Sequence, residues 1–197
     1  MKLTKEQTAE NRRQILETAA KLFRERGIDG VGVSDLMAAA GFTHGGFYNH
    51  FPSKEALAGE ACGAALERAN RALAASLEAG KGKAWRDYLA EYLSPHHRDD
   101  PAHGCTLAAL ATDAGRQGKD VQARFAAAFE ELVELTASEP QSRGEKRAAR
   151  PRKAARAEAM RLWSQAIGAV VLARSVASAD PALSDEILRA TREQLLP

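Results

Sequence analysis

The sequence predicts an all-α protein of about nine helices, with a small N-terminal three-helix unit holding a helix-turn-helix joined to a larger helical part. Three observations predict it. The 197 residues are rich in Ala, Leu, Glu and Arg and poor in alternating β-branched runs, a composition that favours helix over sheet. Apolar residues recur at three- and four-residue steps, as one face of a helix requires. Glycine, proline and short polar residues stand where such runs begin and end. Two cysteines cannot build a disulfide framework, which points to a reducing compartment. The start, Met1-Lys2-Leu3-Thr4-Lys5-Glu6, has no apolar leader core. The longest apolar stretch, Ala166 to Ala173, is far shorter than a bilayer span. A cytoplasmic chain with no membrane segment is therefore expected.

The first helix is expected from about Glu6 to Arg26. Ile15, Leu16, Ala19, Leu22 and Phe23 line one face, and Gly27 stands where a C′ glycine stops a helix. A short helix follows from Val33 to about Ala40, closed by Gly41. The next, His44 to His50, starts after Thr43, an N-cap residue type. Phe51-Pro52-Ser53 breaks the pattern, and Ser53 caps a long helix starting at Lys54. Further helices are expected at about Ala84 to Leu93, Cys105 to Gly115, Asp120 to Ser138, Ala154 to Ala177 and Pro181 to Leu196. Ser94 to Pro101 reads as a polar break. Residues 139–153 read as a mobile loop, being charged, proline-flanked and almost free of large apolar side chains.

The formal net charge is only +2, and residues 1–60 carry equal numbers of acidic and basic side chains. Bulk charge thus decides nothing about partners. The basic run Arg143, Lys146, Arg147, Arg150, Arg152, Lys153 and Arg156 reads as a solvated loop rather than a nucleic-acid contact.

The informative stretch is Gly32 to Leu57. Two helices of about two turns joined by Gly41-Phe42-Thr43 make a helix-turn-helix. Gly41 supplies the positive φ that the sharp turn demands. Leu36, Met37, Ala40, Phe42 and Phe47 can pack the pair on the first helix, with small Ala38 and Ala39 permitting a close crossing. The second helix then turns His44, Gly45, Tyr48 and Asn49 outward, toward a DNA major groove. Thr43, at its N-cap, can bond a phosphate where free N–H groups favour an anion. His44 and Asn49 are the candidates for reading base edges, since an amide can pair with adenine bidentately; ordinary surface residues are the alternative.

The run Ala40-Gly41-Phe42-Thr43-His44-Gly45-Gly46-Phe47-Tyr48-Asn49-His50-Phe51-Pro52-Ser53-Lys54-Glu55-Ala56-Leu57, with Ile15 to Phe23 and Gly27 upstream, resembles the DNA-binding domain of the TetR family of transcriptional regulators. The resemblance implies a DNA-binding domain over residues 1–53, and a helical effector-binding and dimerisation domain over 54–197. It implies a regulator, most often a repressor, that binds a double-stranded DNA operator as a homodimer and is released by a small-molecule effector. Tyr48 and His50 then match the backbone-contacting pair, Lys54 matches a lysine that reaches the DNA backbone, and Ser34 joins the contact set. Arg12 and Arg13 are either further phosphate contacts or part of a solvated helix face.

Two departures stand out. Gly32 takes the place of a Ser or Thr, so that cap offers no hydroxyl to a phosphate. Gly46 takes the place of a Thr or Ser, and the second adjacent glycine costs about 1 kcal/mol of helix preference. Modest affinity and a shallow salt dependence per monomer are expected, with dimerisation supplying much of the binding strength.

In the rest of the chain, the penultimate helix carries two stripes: Met160, Trp163, Ile167, Val170, Val171 and Arg174, and Ala166, Ala169, Ala173 and Ala177. Two stripes imply two partners, its own core and a neighbour. Ala166, Val170, Ala173, Leu183, Ile187 and Leu188 are the dimer-seam candidates, in an antiparallel four-helix arrangement. The effector pocket implied by the resemblance has candidate walls in Trp85, Tyr88, Tyr92, His103, Cys105, Phe125, Phe129 and Trp163, most of which suit plain core equally well. Such walls fit a small apolar or aromatic ligand. Cys105 opens a helix beside His103, a setting for a redox or electrophile sensor or simply for a small buried residue. His96, His97, His103 and Cys105 match no established zinc spacing. No motif asks for a cofactor, and no nucleophile–base pair, phosphate loop or metal triad suggests an enzyme.

Overall fold

In the computed structural model, which describes residues 4–80, 83–138 and 151–196, helix follows helix in the order the sequence predicts. These are α1 (Lys5–Arg26), α2 (Val33–Ala39), the 3₁₀ helix η1 (His44–Asn49), α3 (Lys54–Gly80), α4 (Lys83–Tyr92), α5 (Pro95–Asp99), α6 (Thr106–Ala114), α7 (Lys119–Ser138), α8 (Arg152–Val176) and α9 (Pro181–Leu195). No strand occurs among the described residues.

The ends follow local chemistry. Thr4 and Gln7 close a reciprocal capping box on α1, satisfying two otherwise orphaned N–H groups. Gly27, at φ 76°, ends α1 by donating to Phe23 O at 2.8 Å. A β-carbon there would also meet Asp113 Oδ2 at 2.9 Å, so backbone and neighbour both require glycine. Ser53 Oγ accepts from Ala56 N at 3.1 Å at the head of α3. Asp180 accepts from Leu183 N at 3.0 Å, and Pro181 opens α9.

Two expectations are corrected here. The stretch read as a polar break holds α5: Ser94 accepts from His97 N, and Pro95 sits in the first turn, where its missing N–H costs nothing. The loop expected over residues 139–153 stops earlier at its end, because Arg152 and Lys153 already belong to α8. Residues 139–150 lie outside the described residues.

Contacts divide the chain into two units, Met1–Glu67 with Cys105–Ala126, and Arg68–Gly104 with Ala127–Pro197. The first unit extends past residue 53 because α6 and the start of α7 pack into it. Its core holds Ile15, Ala19, Phe23, Leu36, Met37, Phe47, Phe51, Leu57, Cys62, Leu110 and Val121. Arg24 Nη1 reaches Thr106 Oγ1 at 3.5 Å, and Gln117 Nε2 donates to Asp29 at 3.2 Å. Burial of Cys62 pushes its thiol pKa up to about 12, which makes it an inert core group.

The second unit is built on α8 and α9, which fold back on each other across Ala177–Asp180. Leu73, Leu89, Leu93, Val133, Trp163, Ala166, Val170, Ala173 and Leu188 form its core. Ser184 Oγ donates to Ala173 O at 2.8 Å, joining the two helices.

Candidate nucleic-acid interface and ligand cluster

In the first unit, the turn after α2 is set by backbone bonds. Phe42 N donates to Met37 O at 2.8 Å and Gly41 N to Ala38 O at 3.0 Å, with Gly41 at φ 81°. Gln14 of α1 donates through Nε2 to Ala40 O at 3.0 Å, filling one of the carbonyls that a helix end leaves orphaned. Sequence reading missed Gln14, whose polar character on a helix surface gave no signal of a partner so distant in the chain. Leu36, Met37, Ala40 and Phe47 are buried as expected, and Phe42 is half-buried. Ala38 and Ala39 are exposed, so they mediate no helix crossing.

The segment His44–Asn49 winds as a 3₁₀ helix. Gly45 and Gly46 explain this, since adjacent glycines weaken the α-helical alternative. Thr43 adopts the extended N-cap conformation but makes no side-chain cap bond, which leaves its hydroxyl for an external acceptor. Ser34, Thr43, His44, Gly45 and Asn49 are exposed, and Tyr48 is 68% exposed. One flank of the turn therefore presents hydroxyl, imidazole, phenol and amide groups together.

His50 and Lys54 stand differently. The His50 ring is half-buried, 6.4 Å from Phe42 and 6.4 Å from Phe51, and its buried Nδ1 has no hydrogen-bond partner. Lys54, half-buried in the first turn of α3, places Nζ 3.5 Å from Asp29 O. That contact is at the limit of a hydrogen bond, so the ammonium is readily available to an anion.

Arg13 takes the solvated-face alternative, and Arg12 takes neither of the two. Arg12 bonds Glu60 of α3 and lies 4.6 Å above the Phe51 ring. Arg13 is held by Glu10 and Glu17 on its own helix. Both guanidiniums are thus engaged within the chain.

In the second unit, four aromatic rings gather where α4 meets α8. Trp163 stands edge-on to Trp85 at 5.8 Å, to Tyr88 at 6.4 Å and to Tyr92 at 5.4 Å. Its Nε1–H donates to Thr136 Oγ1 at 2.8 Å. These distances suit attractive edge-to-face contacts. Of the expected pocket set, Trp85, Tyr88, Tyr92 and Trp163 come together here. Phe129 belongs to the same unit, Cys105 and Phe125 belong to the first, and His103 is exposed, bonded to Asp100. A polar cleft of about 490 Å³ in the second unit is lined by Arg86, Asp87, Ala90, Arg189, Arg192, Glu193 and Leu196; none of the expected pocket residues takes part.

The histidines of α5 and its surroundings turn to separate partners: His96 to Glu91, His97 to Tyr92 O and His103 to Asp100. No group of three His, Cys, Asp or Glu suited to a metal ion occurs among the described residues. Cys105 is the half-buried N-cap of α6 and makes no side-chain cap bond.

Burial, aided by the Arg174 charge, lowers the His97 pKa below its ordinary value, against an opposing hydrogen bond to Tyr92 O. The folded chain then holds His97 neutral where the unfolded chain takes up a proton. Stability from this group is full above about pH 6.5 and falls as pH drops below that value. Melting temperatures measured between about pH 7 and pH 5.5 should decline, and His97→Asn should show a smaller decline.

The dimer-seam candidates are corrected in part. Ala166, Val170, Ala173 and Leu188 are buried inside their own chain, and so cannot reach a neighbour. The outer faces of α8 and α9 carry Leu172, 58% exposed, and Leu183, 42% exposed, with Ile187 half-buried.

A glycine-turned helix pair presenting exposed polar side chains beside a lysine-headed helix defines a helix-turn-helix protein. Residues 15–61 match the family model described as "Bacterial regulatory proteins, tetR family", so the helix-turn-helix segment is similar to the DNA-binding part of that family. Over 67 residues the chain is 39% identical to the HTH-type transcriptional repressor DhaR of Mycobacterium sp. (strain GP1), covering 34% of this chain and 34% of that one. Over 49 residues it is 45% identical to the HTH-type transcriptional repressor KstR2 of Rhodococcus jostii (strain RHA1), covering 25% and 24%. The matched segment therefore spans about a third or less of these relatives. Solved structures extend the likeness of fold to nearly the whole chain. A TetR transcriptional regulator from Chloroflexus aurantiacus has TM-score 0.75 and 28% identity over 95% of this chain and 93% of that one. The reduced form of NemR from E. coli has TM-score 0.77 and 20% identity over 95% of both. DhaR and KstR2 are named as transcriptional repressors and the Chloroflexus aurantiacus protein as a transcriptional regulator. No described helix is long and apolar enough to cross a membrane.

Proposed function

We propose that this protein is a cytoplasmic transcriptional repressor. It binds a pseudo-palindromic operator in double-stranded DNA as a homodimer, and a small apolar or aromatic effector releases it. The observation that carries this reading is the exposed set of Thr43 at the N-cap of η1 and His44, Tyr48 and Asn49 on it, inside the segment that matches the family model. Tyr48, Thr43, Ser34 and Lys54 bind phosphates and set the register, while His44 and Asn49 address base edges. His50 supports the turn through its ring contacts and can offer its outer edge to the backbone.

Leu172, Leu183 and Ile187 support a seam between two copies, since exposed leucines on adjoining helices favour a partner. The cluster of Trp85, Tyr88, Tyr92 and Trp163 supports an aromatic or apolar effector. An effector that binds one arrangement of the dimer better than the other shifts DNA affinity by that same difference.

The test is selection of duplexes from a random-sequence DNA pool by the purified full-length protein. The expected product is an inverted repeat whose half-sites lie about one helical turn, or a multiple of it, apart. Enrichment of no sequence, or of a single asymmetric site, overturns the reading.

A further inference from the structure

The recognition segment has little to hold it from within. It is a six-residue 3₁₀ helix with two adjacent glycines, and the backbone bonds at its ends are the short-range Gly46 N to Thr43 O, His50 N to Phe47 O and Phe51 N to Phe47 O. A short 3₁₀ run has poorer hydrogen-bond geometry than an α-helix, so its orientation depends on what packs against it. Behind it lies a chain of rings. Phe47 meets Tyr48 edge-on at 5.2 Å and Phe51 at 5.9 Å, and both phenylalanines are buried. Above Phe51 sits the Arg12 guanidinium, 4.6 Å from the ring centroid, bonded at the same time to Glu60 on α3.

We infer that Arg12 and Glu60 form a strut from α1 to α3 that clamps Phe51 and thereby fixes the pose in which Tyr48 and Asn49 meet DNA. Arg12 is a positioning residue and not a phosphate contact. This rests on the DNA-binding reading above. Arginine suits both contacts at once, because a planar guanidinium can lie on an aromatic face and still bond a carboxylate through its edge. Removing either end releases the ring, and through Phe47 the pose of Tyr48.

The strut makes a prediction whose sign is opposite to that of simple electrostatics. Glu60→Ala deletes a negative charge from a DNA-binding unit, which by charge alone strengthens binding. The strut requires it to weaken binding. The probe is the duplex selected by the wild-type protein, titrated by fluorescence anisotropy across a series of salt concentrations. Arg12→Met and Glu60→Ala are each expected to weaken binding about fivefold, the scale of a partly solvated cation–aromatic contact. The dependence of log affinity on log salt should keep its wild-type slope. Amide hydrogen exchange at Gly46 and His50 should quicken in both variants, while exchange in the middle of α1 stays unchanged, which shows that the unit remains folded. A slope reduced by about one phosphate equivalent in Arg12→Met, tighter binding by Glu60→Ala, or unchanged exchange at Gly46 and His50 overturns the inference. Failure of the wild-type protein to select any duplex instead overturns the DNA-binding reading itself.

Discussion

Trp163→Ala is expected to destabilise the protein by about 3–5 kcal/mol, the range for emptying a buried aromatic site. Trp163 is 1% exposed, and three other rings stand edge-on around it. Truncation removes those contacts together and leaves a cavity that the helices of the unit can close only in part. It also deprives Thr136 of the indole donor. The Thr136 hydroxyl already donates to Leu132 O at 2.8 Å, so it accepts from Trp163 and cannot exchange roles without losing the backbone bond. Trp163→Phe keeps a ring but no N–H, and should cost less, about 1–2 kcal/mol. Denaturant midpoints for the two variants at unchanged slope measure both costs. A loss below about 1 kcal/mol for the alanine variant would show that the cluster is loosely packed.

The parts of the fold that were legible in sequence are those written in local chemistry. Gly27, Gly41, Ser53 and Asp180-Pro181 each mark a helix boundary close to where the structure has it. What was misread depends on neighbours that periodicity does not name. The stripe Ala166, Val170 and Ala173 shows that α8 has an apolar face, but not that α9 of the same chain fills it. The true outer face is held by Leu172, which the stripe argument passed over. The expected pocket set mixes residues of both units, because a helical pattern reports that Phe125 and Trp163 are buried and not what they are buried among. At the helix-turn-helix, the exposed residue types were readable but the supporting contacts were not. Arg12 to Glu60 spans 48 positions and Gln14 to Ala40 spans 26. α5 was hidden for a simpler reason: a helix of five residues is too short for any period to show.

Tyr48→Ala should give the largest loss of DNA binding among single substitutions at the interface, with almost no change in stability. The side chain is 68% exposed and meets the buried Phe47 ring edge to face, so truncation should alter unfolding by no more than about 0.5 kcal/mol. In the proposed complex the phenol contributes a phosphate hydrogen bond, and each protomer of the two-fold arrangement loses that contact on truncation. A loss of about 1–1.5 kcal/mol per protomer doubles across the inverted repeat, which lowers operator affinity about 30- to 150-fold. Tyr48→Phe isolates the hydroxyl and should fall between the two. Because the phenol is uncharged, the salt dependence of binding should keep its slope, whereas Lys54→Ala should reduce it by about one unit for each lysine that touches a phosphate. These two signatures separate a hydrogen-bonding contact from an ionic one on the same face. Operator affinity unchanged in Tyr48→Ala would mean that the most exposed aromatic of the unit meets only water, and the proposed docking face would have to be placed elsewhere on the chain.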